Sequence, residues 1–433
     1  MIYVLIGLLI LAYSYNNYKQ GFLWFLVFKI FLVTNITLIS LPGVPLLTLE
    51  VFMTLVMIVL FFLKRHKIDL ERHKFPFLTP FKWLAASYFL STLFASIGFM
   101  GAVSAFVKGI TTHLVTVYLM WMLIKDKRDI LFLVKWFTIA FIPITLYAFY
   151  EYSIQSNPLM EYQVTLVADA ERALDFTYDA ERGRGYRVQS MFEHAIGAGI
   201  NWAMFFILTF LLIFRYRWSS TKANLAVAVS IISLLAIFFT NSRASLVFIM
   251  IGSMAVVNFK NSKFYTYLLI GIGVILAASP LYIDYMNNLL SIFDSKVQAS
   301  VGGSNLEMRL NQLDAAIALM KRSPIVGLGY KFQNVMSGRT VDALLGMESM
   351  WFRILTQFGL LGVVANSVLA YFSLYKIPRK FGSWPLFYIS LAYWVTASAT
   401  SVPGMLLYMY YMILIIIMKL HYIKQQRPCR KYQ

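Results

Sequence analysis

Arg187, Arg243, Arg309 and Arg353 carry charge where an otherwise apolar chain has little structural use for it. Arg243 lies in the tight turn NSR between two apolar runs, and Arg187 precedes the run that begins near Ala195. Arg309 opens an amphipathic stretch, and Arg353 lies about one turn inside the run from Met350, shortly after Glu348. A guanidinium is a planar fork of donors that matches phosphate bidentately, so these positions point to a phosphorylated, membrane-associated ligand. Arg339 belongs to the same set. Ionisable groups inside apolar helices are expensive and default to functional hypotheses, which singles out Glu50, Lys108 and His113. Glu50 and Lys108 could equally pair with each other. His194, beside Glu193, stands at the mouth of the run from Ala195. The plainer reading is that loop arginines pair with nearby carboxylates and that Arg243 snorkels to lipid phosphate.

Other chemistry is not supported. The chain has no G-x-x-x-x-G-K-[ST], no G-x-S-x-G, no H-E-x-x-H and no D-x-D pair of the kind that holds a metal–nucleotide sugar. Its one cysteine, Cys429, excludes a disulfide framework and a Cys-ligated metal site within one chain. No cofactor and no metal is expected.

The elements that must position these residues follow from composition. The 433 residues are 60% hydrophobic and 13% charged, with a mean hydropathy of +0.69, which excludes a soluble fold. An all-α, polytopic transmembrane bundle of about 13 spans, within a range of 11–14, is expected. The spans fall near 2–15, 21–40, 45–63, 81–99, 102–124, 130–151, 195–214, 223–240, 244–259, 264–283, 350–375, 384–401 and 404–420. The first is read as retained, since it lacks a basic n-region and a cleavage site. This divides the chain into N-terminal helices (1–151), a first outer loop (152–194), central helices (195–283), a large outer loop (284–349) and C-terminal helices with a basic tail (350–433).

The net charge of +19 resolves by location. KRHKIDLERHK at 64–74, KDKRD at 125–129, RYRWSSTK at 215–222, KNSK at 260–263, IPRKF at 377–381 and the basic tail all fall on one side, cytoplasmic by the positive-inside rule. The N-terminus is then outside and the C-terminus inside. The excess is a topology signal and does not indicate nucleic acid. On the outer segments arginine outnumbers lysine nine to three. Within 284–349, Ser304 and Glu307 form an S-x-x-E capping box ahead of Leu310, Leu313, Ile317 and Met320, which predicts an amphipathic surface helix; Ser323-Pro324, Gly327 and Gly329 end it.

Four outer stretches resemble one known pattern. ESMWFRILTQFGLLG (348–362) is similar to the H-N-x-x-L…G-x-x-G signature of the O-antigen ligase and O-antigen polymerase (Wzy-type) superfamily. RLNQLDAAIALMKRSPIVGLGY from Arg309 resembles its R…A…SP-x-x-G-x-G run, NSRAS its S-R-[GA] turn, and RVQSMFEH from Arg187 its R-x-x-G-x-F-x-[HN]-P. The matches keep the family order over roughly 187–362. Glu348 replaces the signature His, Ser349 its Asn, and Ala195 the Pro after His194. The resemblance implies action on undecaprenyl-pyrophosphate-linked oligosaccharide, as donor and acceptor, at the outer face of the bacterial inner membrane. Neither metal nor nucleotide is implied. It implies a polysaccharide polymerase with Glu348 as base, Arg187, Arg243 and Arg309 around the pyrophosphate, and Arg353 in support. His194 is the rival base. Arg339, Lys108 and Glu50 are further substrate-binding candidates. The bilayer and a chain-length regulator protein are the implied partners. Ligation to lipid A core is the alternative within the family, and a lipid-linked oligosaccharide transporter the alternative outside it.

Overall fold

The computed structural model describes residues 2–32, 36–39, 47–96, 98–166, 186–216, 218, 221–257, 306–330, 332, 347–400 and 403–425. Apolar stretches become helices because a helix satisfies its own backbone donors and acceptors where water does not. The helices are α1 (Ile2–Asn16), α2 (Tyr18–Phe28), α3 (Leu49–Lys64), α4 (Leu78–Leu93), α5 (Phe99–Leu123) and α6 (Lys127–Ile154). They continue with α7 (Pro158–Val164), α8 (Ala195–Phe214), α9 (Thr221–Phe239), α10 (Arg243–Ser253), α11 (Leu306–Met320), α12 (Met350–Phe381), α13 (Trp384–Ala399) and α14 (Pro403–Gln425). The one sheet among the described residues is a hairpin of β1 (Thr37–Ile39) and β2 (Leu47–Thr48), antiparallel with Thr37 opposite Thr48.

Four of these helices, α5, α6, α8 and α12, are long and apolar enough to cross a membrane. The count of thirteen is therefore larger than length and composition support among the described residues. Some expected spans form helices too short for it: α1, with 15 residues, is about 22 Å long against a hydrocarbon core of about 30 Å. The expected span at 264–283 lies outside the described residues, as do Ser304, the side chain of Glu307 and Arg339. A helix forms over the predicted stretch as α11, but the face it buries is Gln312, Ala316 and Leu319, while Leu310 of the expected apolar stripe is exposed.

Contacts sort the helix ends into two sets. At one end, Asp126 caps α6 in a capping box with Asp129, Lys19 pairs with Asp129 at 2.8 Å, and the backbone N–H of Glu71 donates to Met122 at 3.0 Å. His73 stacks on Tyr422 with ring centroids 4.0 Å apart, and Phe381 packs on Tyr422 at 5.3 Å. The basic connections at 64–74, 125–129 and 377–381 thus gather at this basic end with the last turns of α14. At the opposite end, Gln163 of α7 donates to the Tyr3 hydroxyl at 2.8 Å, and the C-terminus of α6 meets segment 186–190.

The core runs through the bundle along α8, nearly all of whose side chains are buried. Small residues at its start, Ala195, Gly197, Ala198 and Gly199, allow the approach: a Cβ on Gly199 would lie 2.3 Å from the Ser245 hydroxyl.

One helix departs from its expected continuity. The run 350–375 reads as an unbroken span, but α12 is interrupted at Gly359, where φ is +59° and ψ −156°. The segment Ser323–Tyr330 enters the break and supplies the missing backbone partners. Leu360 and Leu361 donate to the carbonyls of Pro324 and Ile325 at 2.9 and 3.0 Å, while Leu328 and Gly329 donate to those of Thr356 and Gln357 at 2.9 and 3.1 Å. Gly327 has φ +73°, and a Cβ there would stand 2.4 Å from the Gln357 carbonyl. The SP-x-x-G-x-G run is thus a backbone plug for a broken helix. The C-terminus of α4 closes over it, with Ser96 N–H donating to the Leu328 carbonyl at 3.0 Å and the Ser91 hydroxyl to that of Gln357 at 2.6 Å.

Candidate active site

Arg309 and Glu348 are brought together by the surface helix. Arg309, in the first turn of α11, places Nη2 3.5 Å from Glu348 Oε2 and donates to the carbonyl of Ala399, the last residue of α13, at 3.4 Å. One turn on, the buried Gln312 accepts from the Glu348 backbone N–H at 3.1 Å. Glu348 stands one residue before the cap of α12, where the Ser349 hydroxyl accepts from Trp351 N–H at 3.2 Å. Trp351 in turn donates to Ser398 at 2.9 Å, so the start of α12 and the end of α13 are tied at the same level.

Arg187 and Arg243 meet the two ends of one turn. The Arg187 Nε donates to the Thr240 carbonyl at 3.2 Å, and Val188 N–H donates to that of Phe239 at 3.0 Å, so segment 186–190 lies along the C-terminus of α9. The chain then turns through Asn241, at φ +47°, to Ser242, whose hydroxyl accepts from Ser245 N–H at 3.3 Å and caps α10. Arg243 is the first residue of that helix. The Ser245 hydroxyl also donates to the Ile196 carbonyl at 3.3 Å, which joins this turn to the start of α8.

Helix geometry relates the two pairs. Gly252 of α10 abuts Ala392 of α13, with 3.7 Å from a Cβ built on the glycine to that of the alanine. Arg243 is nine residues from Gly252 and Ala399 seven from Ala392, so they rise from that contact by about 13 and 10 Å. Both run toward the end away from the basic connections. Arg187, Arg243, Arg309 and Glu348 therefore share one end of the bundle, beside the N-termini of α8, α10 and α12. The partial positive charge of those termini adds to that of the arginines and favours an anion.

The remaining candidates divide. His194 caps α8: its Nδ1 accepts from Ile196 N–H at 3.1 Å, so this lone pair is engaged and Nε2 holds the proton of the neutral ring. Arg353 follows in the first turn of α12, with its N–H bonded to the Ser349 carbonyl at 3.3 Å. Glu50 forms its direct ion pair with Lys29, not with Lys108; the charges of Lys108 and His113 also act on it. Lys29 is buried and lies 3.5 Å from the Thr112 carbonyl. This second cluster joins α3 and α5. Next to Lys108, Gly109 faces the plug, and a Cβ there would lie 3.2 Å from the Tyr330 ring.

Two groups near the site escape a reading of motifs. Glu151, at the edge of an apolar run, is fully buried and bonded to segment 186–190. Its signal was a lone carboxylate in YAFYEYS. Burial and then the Glu151 carboxylate hold the Tyr186 hydroxyl well above the usual tyrosine range, so it remains a donor. Gln312 had no signal beyond its helical spacing from Arg309. Among the described residues no cluster of metal-ligating side chains occurs.

No curated protein matches the chain. Residues 228–367, which carry Arg243, Arg309, Glu348, Arg353 and the plug, match the family described as O-Antigen ligase, and this match supports the O-antigen polymerase and ligase superfamily for the chain.

Proposed function

We propose that the protein is a membrane-bound polysaccharide polymerase that transfers a growing glycan from undecaprenyl pyrophosphate to a hydroxyl of the next lipid-linked repeat unit. The observation that carries this reading is the gathering of three arginines and Glu348 beside three helix N-termini at one end of the bundle. The basic connections lie at the other end, which the positive-inside rule makes cytoplasmic, so the site faces the outer side of the bacterial inner membrane. Glu348 accepts the proton of the attacking hydroxyl as the new bond to the anomeric carbon forms. The bond from that carbon to the pyrophosphate oxygen breaks, and Arg187, Arg243 and Arg309 stabilise the charge on the departing group. Arg309 also orients Glu348.

The match to ligases favours one second reading, transfer to a lipid A core acceptor. Purified protein given lipid-linked repeat units alone, or with lipid A core added, separates the two. A ladder of polymer from repeat units alone supports polymerisation. Product formed only with core present supports ligation, and no product in detergent with either acceptor removes both and favours transport.

A further inference from the structure

We infer that Glu151 is a positioning residue of this site: its carboxylate fixes the backbone from Tyr186 to Ser190 and thereby holds the Arg187 guanidinium beside the turn that carries Arg243. The inference rests on the reading of Arg187 as a ligand of the departing pyrophosphate.

A carboxylate with no exposed surface near the end of an apolar helix is costly unless hydrogen bonds replace its water. For Glu151 the replacement comes from one short segment. Oε1 accepts from the Tyr186 hydroxyl and from Gln189 N–H, both at 3.0 Å, and Oε2 accepts from Ser190 N–H at 2.6 Å. These donors lie on both sides of Arg187 in sequence. The same segment is held again at Ser190, a non-glycine residue at φ +53°, whose hydroxyl donates to the Ile144 carbonyl at 2.8 Å and whose carbonyl accepts from Asn157 at 2.8 Å. Its far side is bonded to Phe239 and Thr240. Arg187 thus lies within a five-residue strap, Tyr186–Ser190, fixed to α6 on one side and to the Thr240–Arg243 turn on the other. A glutamine at 151 cannot replace the carboxylate, because its amide nitrogen would face one of these donors.

The test combines kinetics with hydrogen–deuterium exchange on the full-length protein. Glu151→Gln is expected to lower kcat for polymerisation about 10- to 100-fold with KM for the lipid-linked unit little changed, the loss expected from a misplaced group that acts in the transition state. In an Arg187→Ala background the same substitution is expected to change kcat less than about threefold, since coupled residues are not additive. Amide exchange over 188–190 is expected to speed up while α14 keeps its protection. Unchanged exchange over 188–190, or losses that multiply in the double variant, overturns the inference. If the wild type makes no polymer but exchange still rises in Glu151→Gln, the polymerase reading fails and the strap stands.

Discussion

Arg309 and Glu348 meet with 3.5 Å between Nη2 and Oε2, across the step from the helix α11 to the residue that precedes the cap of α12. The pair is half-exposed, so its own contribution to stability is small. Its geometry is set by neighbours instead: Gln312 holds the Glu348 backbone, Ala399 holds Arg309, and the plug at Gly359 fixes α12 against the chain that leaves α11. A carboxylate in this position can be aimed without being buried.

His194 provides the sharpest contrast between a base and a cap. Loss of the α8 cap in His194→Ala is expected to cost about 1 kcal/mol of stability, whereas His194→Asn retains a capping acceptor. Both are expected to keep polymer length and rate within about tenfold of wild type, because one positioned base contributes 10²–10⁴-fold. Thermal melts in detergent and the polymerisation assay check this; a loss beyond about a hundredfold in both variants would move the base to His194.

Gly327→Ala tests the plug. Its φ of +73° and the 2.4 Å approach to the Gln357 carbonyl mean that a methyl group forces both the turn and α12 to move. A destabilisation of about 2–4 kcal/mol is expected, read as a fall in melting temperature. A melting temperature equal to wild type would refute the account of the broken helix.

The Lys29–Glu50 pair is expected to be structural. Removing one partner in Glu50→Gln leaves a buried cation and is expected to destabilise by about 3–5 kcal/mol, while Lys29→Met with Glu50→Leu is expected to restore most of that loss and keep activity. A folded but inactive double variant would assign this cluster to substrate binding.

At the basic end, Glu71 gives a pH dependence. Burial would raise its carboxyl, but hydrogen bonds from the His73 N–H, Lys419 and the His73 ring outweigh it and hold it at about 2. A carboxyl lowered from 4.5 contributes stability that is complete above that value and is lost as pH falls from 4.5 toward 2. Melting temperature measured from pH 6 to pH 3 is expected to fall less in Glu71→Gln than in wild type. Parallel curves would contradict this role of Glu71.

Hydropathy made the helices legible, and alternation of charge grouped the basic connections at 64–74, 125–129 and 377–381, which the contacts gather at one end, because both signals act over whole segments. What stayed hidden depends on pairings between distant residues. The break at Gly359 looks like part of an apolar run, since the plug that makes it tolerable lies some thirty residues earlier, at Pro324–Gly329. Glu151 sits at the edge of a run, where a lone carboxylate reads as a helix end facing water. Lys29 stands within the expected span 21–40, but its partner Glu50 is fixed only by the packing of α3 beside α2.

Initial rates with purified Glu348→Gln, on lipid-linked repeat units in detergent without nucleotide or added metal, test the central claim most directly. The account predicts a fall in kcat of about 10²–10⁴-fold in a protein that melts like wild type, the contribution of a positioned base. Polymer of normal length made at a rate near that of wild type would contradict it.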